Sequence, residues 1–134
     1  MKKIIVILIL LFGAFLTPNC DAQTYYYKTY QFAIKYRNNG VWGDWSGWER
    51  SNMTLKIDLD EDLIIIYSEK KQIYSVVENL GSYIDDSGGK QIKFYVIDQD
   101  GDNGYVRLRV EKNGNQQLYV DFNNVMWVYN VRQL

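Results

Sequence analysis

The chain of 134 residues has no histidine, one cysteine (Cys20) and one proline (Pro18), and each shortage closes a line of chemistry. Without histidine, the commonest general base and the commonest metal ligand are missing. A lone cysteine rules out an intrachain disulfide, and a serine triad has no histidine to serve as its base. No Gly-x-Ser-x-Gly elbow or glycine-rich phosphate loop occurs. An excess of one charge is lacking too, with 15 Lys and Arg against 16 Asp and Glu. A near-neutral surface gives no electrostatic footprint for nucleic acid or an anionic membrane. The expectation is a protein that binds rather than catalyses, with no cofactor.

A long apolar run occurs once, at the start. Met1-Lys2-Lys3 precedes the unbroken apolar stretch Ile4 to Phe12, which continues weakly to Leu16 before Thr17-Pro18 breaks it. As a helix that stretch would reach about 20 Å at ~1.5 Å per residue, short of the ~30 Å hydrocarbon core. Residues 1–22 are therefore expected to be an export signal, and residues 23–134 a single domain. Removing Lys2, Lys3 and Asp21 leaves 13 basic and 15 acidic side chains, a net charge of −2. Cys20-Asp21-Ala22 places small residues at −3 and −1, so cleavage is expected before Gln23. That Ala-Gln junction resembles those of many exported Gram-negative proteins. The alternative is lipid attachment at Cys20, although Thr17-Pro18-Asn19 is a poor match to the Leu-Ala-Gly that precedes a lipoprotein cysteine. Either route leads to the periplasm or the outside of the cell.

After residue 23, period-two alternation recurs in short runs separated by Gly, Asn and Asp, the pattern of antiparallel sheet. Strands are expected near Tyr26–Tyr36, Val41–Glu49, Met53–Leu59, Leu63–Tyr67, Gln72–Asn79, Gln91–Asp98, Tyr105–Glu111, Gln116–Phe122 and Val125–Val131. The short links between these nine runs make neighbours in sequence pair as a meander. Parity then sets the registers, because inward residues must face inward residues. A three-residue loop Lys112-Asn113-Gly114 pairs Leu108 with Leu118 and Val106 with Val120, and sets Arg107 against Tyr119 outside. A two-residue Asn123-Asn124 turn of type I′ pairs Val120 with Trp127 and Leu118 with Tyr129. Leu59 opposite Leu63 aligns Ile57 with Ile65 and Leu55 with Tyr67. Leu108, Leu118, Val120 and Trp127 are expected in the core, with Arg107, Arg109 and Asp121 on the other face.

With one apolar face and no helix to cover it, such a meander is expected to close into an up-and-down barrel. The fold class expected is all-β: one antiparallel meander of about nine strands, with a two-sheet β-sandwich as the alternative. The plan resembles small calycin-type barrels such as lipocalins, avidins and fatty-acid-binding proteins. The resemblance rests on strand number and order; the lipocalin Gly-x-Trp start and Thr-Asp-Tyr turn are missing, so it implies no ligand.

Trp42-Gly43-Asp44-Trp45-Ser46-Gly47-Trp48 stands out. Its Trp spacing resembles the ladder of thrombospondin type 1 repeats, but the paired cysteines and arginine strand of that family are absent. An Asn39-Gly40 turn makes Ile34 face Trp45, which puts Trp45 in the core and leaves Trp42 and Trp48 outside with Arg37 opposite Trp42. Trp42, Trp48 and Arg37 are the candidate binding residues, a platform for a protein, glycan or small ligand; the bland alternative is that the rings cover a barrel end. Asp98, Asp100 and Asp102 alternate as a calcium loop requires and resemble the start of an EF-hand. Asn103 stands where that loop needs glycine and Arg109 where it needs a bidentate glutamate, so a plain five-residue hairpin loop, Gln99–Asn103 with Val96 opposite Val106, is expected instead. The acidic corner Asp58, Asp60, Glu61 and Asp62 and the pair Asp85-Asp86 read as solvated turns rather than a hydrolytic pair. Two functions follow: a binding module, or a small inhibitor or surface accessory similar in size to periplasmic lysozyme inhibitors.

Overall fold

The computed structural model describes residues 23–134. The expected export signal, with Cys20 and both processing routes, lies outside the described residues. Ten antiparallel strands and no helix make up the described residues. They are β1 (Thr24–Asn38), β2 (Val41–Trp42), β3 (Glu49–Arg50), β4 (Thr54–Asp58), β5 (Leu63–Ile66), β6 (Gln72–Ile84), β7 (Lys90–Ile97), β8 (Asn103–Val110), β9 (Gln116–Asp121) and β10 (Val125–Gln133).

Each strand from β4 onward pairs with the next, and β10 returns to β1. Eight strands (β1 and β4 to β10) thus form a closed meander barrel, as expected, and the sandwich alternative falls. The short β2 and β3 lie along β1 outside the ring of eight. Closure needs stagger. β1 provides it by meeting β4 with residues 24–28 and β10 with residues 27–36.

Sixteen buried side chains, including Tyr27, Leu55, Phe94, Leu108, Leu118 and Val120, form one cluster that fills the interior. In β8, β9 and β10 the expected registers are present: Leu108 faces Leu118, Val106 faces Val120, Trp127 faces Val120 and Tyr129 faces Leu118. Arg107 faces Tyr119 outside, with its guanidinium 4.1 Å from the ring centre.

Five expectations are corrected. Ile57 pairs with Ile64, not Ile65, and Leu55 with Ile66, not Tyr67. Three consecutive isoleucines carry no parity: Ile64 and Ile66 point inward, while Ile65 faces out between Lys56 and Ile73. The turn accordingly has four residues, with Asp62 left-handed (φ 55°), the Asp58 carboxylate accepting the Glu61 N–H at 3.1 Å, and Leu59 folded back into the core.

β6 runs on to Ile84 rather than stopping at Asn79, because irregularities after Val76 and Asn79 break its alternation without ending its pairing with β7. Phe94, rather than Val96, faces Val106, so the β7–β8 loop has three residues instead of five. Neither Asn123 nor Asn124 takes a positive φ, so their turn is not type I′. Its Asn124 carbonyl accepts the Arg37 N–H at 2.8 Å and ties the turn to β1. Finally, Trp127 is only partly buried, stacked on Phe122 at the top of the core.

Candidate functional site

The Asn39-Gly40 turn takes the left-handed conformation at both residues (φ 54° and 78°), as a type I′ hairpin requires. It folds β2 back on β1 and pairs Arg37 with Trp42, as the sequence predicts. Gly43 still follows that register, donating its N–H to Tyr36 O at 2.8 Å. Then the ladder slips. Ser46, not Trp45, meets Ile34: the Ser46 N–H donates to Ile34 O at 2.8 Å, and the Ile34 N–H donates to Ser46 Oγ at 2.9 Å. By β3 a second slip has brought Glu49 opposite Phe32.

The slips correct the assignment of Trp45 to the core. It is 38% exposed, and its ring lies on the outer face of the barrel. There it meets Tyr119 edge-on at 6.4 Å and takes the Lys35 ammonium 4.6 Å from its centre. The same ammonium lies 5.4 Å from the centre of Trp42, and the Arg37 guanidinium lies 5.9 Å from it. The structure thus brings together Trp42, Trp45, Lys35, Arg37 and Tyr119. Trp48 is 48% exposed, and among the described residues no ring or cation contact joins it to Trp42. Trp45 and Lys35 are the members missed in the sequence, because an insertion inside an aromatic run inverts parity without leaving a compositional mark.

Ala33 and Val128 pair across β1 and β10 on this outer face, yet both are buried and stand apart from the interior cluster. Their neighbours in the ladder are Lys35 and Tyr119, the two partners of the Trp45 ring. Trp45 thus touches both residues that flank this pair, while much of its own ring faces solvent.

Beside the platform the outer face of β7 to β10 is tied by charge. Arg107 grips Asp121 with two bonds, at 2.6 and 3.3 Å, and donates to Gln91 Oε1 at 3.1 Å. Arg109 donates to Asp85 at 2.8 Å, Glu111 at 3.0 Å and Ser87 Oγ at 2.8 Å. The hydrogen bond from Arg109, then that from Gln91, holds the Asp85 carboxyl well below the usual carboxylate range. Burial, opposed by the nearby arginines, pushes the Tyr119 phenol up. A carboxylate held so strongly ionised is a poor general acid. Its place is structural.

Asp98 Oδ1 accepts the N–H groups of Asp100 and Asp102, each at 2.9 Å, so it closes a turn. Among the described residues no group of three or more acidic, cysteine or histidine side chains is arranged to hold a metal ion. Asp98, Asp100 and Asp102 do not converge. No known protein family, curated protein or solved structure matches this chain.

Proposed function

We propose that the protein is an exported, non-catalytic binding module that engages a partner protein through the Trp42–Trp45 face. The observation carrying this reading is the cluster itself: two partly exposed indoles held around Lys35, with Arg37 beside Trp42, on the outside of a barrel whose interior is filled by its own side chains. Tryptophan and arginine dominate binding hot spots because they join a large contact area to directional polar groups. A filled interior favours recognition at the surface over a ligand carried in the lumen. The wall also has its apolar side inside and arginines, aspartates and glutamines outside, the reverse of a barrel that faces lipid.

Replacing both rings, Trp42→Ala/Trp45→Ala, tests the reading. It should abolish capture of the partner while lowering the melting temperature by only a few degrees, about what ~1 kcal/mol costs in a domain this size. A drop well over ~10 °C would show that the rings serve packing, as each fully buried aromatic costs ~3–5 kcal/mol when removed. Export carries its own check. Intact-mass measurement of the exported protein should give a chain starting at Gln23, and a diacylglycerol adduct on Cys20 would replace that processing route with lipid anchoring.

A further inference from the structure

A cleft of about 610 Å³ opens at the barrel mouth, between the β7–β8 loop and the β9–β10 turn. Its size lies within the ~300–1,000 Å³ typical of small-molecule sites. Phe122 and Trp127 form its apolar side, their rings stacked within 6° of parallel at 6.3 Å. Tyr74 supports the Phe122 ring from the core at 6.0 Å. Gly104 fixes where that ring lies: a Cβ there would stand 2.6 Å from Asp121 O and 2.8 Å from Phe122 Cδ1. The rings pack on the core beneath, yet both stay partly exposed where they line the cleft.

Around this floor stand Asp102, Asn103, Asn123 and Asn124, all exposed. The two hairpins that carry them close without using these side chains. The Asp98 N–H donates to Asp102 O at 2.8 Å and the Phe122 N–H to Val125 O at 2.9 Å, while the Asp98 carboxylate caps its own loop. Three amides and one carboxylate remain to face a ligand. No lysine or arginine lines the cleft, so nothing in it would offset an anion.

Amides donate and accept, and a carboxylate accepts, which matches hydroxyl groups that do both. Stacked aromatic rings match the apolar C–H face of a pyranose. We infer that this cleft binds a neutral saccharide, with a sugar face on Phe122 and Trp127 and its hydroxyls on Asp102, Asn103, Asn123 and Asn124. An organic cation would also find an aromatic ring and Asp102, but it would leave the three amides without matching groups. The site adjoins the Trp42–Trp45 face where the Asn124 carbonyl accepts the Arg37 N–H, but the two share no side chain and Asp102→Ala/Asn103→Ala leaves that junction intact, so either reading can fail without the other.

Two-dimensional NMR titration of the mature protein tests the inference. The probes are neutral methyl pyranosides and short neutral oligosaccharides, with choline, calcium chloride and inorganic phosphate run alongside. A saccharide should shift the Trp127 indole and the Asn103, Asn123 and Asn124 side-chain amide signals saturably, with ~mM affinity. The variant Asp102→Ala/Asn103→Ala alters only rim side chains, so it should keep the wild-type spectrum elsewhere while losing at least ~tenfold in saccharide affinity. Shifts produced only by choline or calcium would overturn the inference in favour of a cation site. It is equally overturned by saccharide shifts that persist unchanged in the variant, or by no saturable shift from any sugar in the panel.

Discussion

Gly104 occupies a place where no side chain fits. It sits opposite Val96 at the start of β8, and the nearest obstacles to an added methyl are the Asp121 backbone carbonyl and the Cδ1 and Cε1 carbons of the Phe122 ring. The carbonyl belongs to β9 and cannot yield without disturbing the ladder that holds Tyr105 opposite Asp121. Gly104→Ala should therefore cost ~1–3 kcal/mol, the range for overpacking a rigid site. Urea denaturation measures it, and a loss under ~0.5 kcal/mol would mean that the Phe122 ring gives way freely. At this scale, parity in the sequence placed Leu108, Leu118, Val106 and Val120 because each stands between polar residues. It failed where contrast vanished: Ile64 to Ile66 are apolar throughout, and Trp42 to Trp48 are aromatic on both sides of the slip.

Among the elements, three hairpins share one closing geometry. Asp85, Asp98 and Glu111 each accept, through the backbone carbonyl, the N–H of the glycine three residues on. Those glycines, Gly88, Gly101 and Gly114, have φ of 85°, 86° and 94°. Acidic-x-x-Gly was thus a repeated, legible marker of the three-residue loop, although parity alone picked it out only at Gly114. The acidic side chain adds a second lock at two of the three sites. Asp85 Oδ1 accepts from Ser87 N and Gly89 N, while Oδ2 holds Arg109 and Gln91 across β8 and β7.

This arrangement sets a pH dependence. An aspartate in the unfolded chain ionises near ~3.9, and the folded value for Asp85 lies below that. The stability contributed by the Asp85–Arg109 pair is therefore complete above ~3.9 and is lost only as pH falls through the lowered folded value. In an NMR titration the Ser87 and Gly89 amide shifts should stay flat from neutral pH to ~4 and move only at stronger acidity. A midpoint near ~4 would show that Arg109 does not hold the carboxylate in solution.

The whole molecule depends on one non-local ladder. β1 and β10 pair along nine positions, from Tyr27–Gln133 to Tyr36–Val125, and without them the barrel is an open sheet with two free edges. No local pattern announces this pairing; in the sequence it followed only from the argument that a one-faced meander must close. Such contacts form last and slowly, since the chain must first pay the entropy of joining strands about a hundred residues apart. The same ladder brings Leu134 beside Tyr26, with the Leu134 N–H donating to Tyr26 O at 2.9 Å. A short glycine-serine linker from Leu134 to Gln23 would therefore turn β10–β1 into a hairpin. New ends cut between Asn113 and Gly114 would fall in an exposed loop outside the interior cluster. This circular permutant should melt cooperatively within several degrees of the parent, because only one loop geometry is lost. Its refolding rate in stopped-flow measurements should stay close to the parent's, because the permutation moves the one long-range closure from β1–β10 to β8–β9 without removing it. Refolding slower than the parent would place the β8–β9 hairpin, rather than β1–β10 closure, at the step that limits folding.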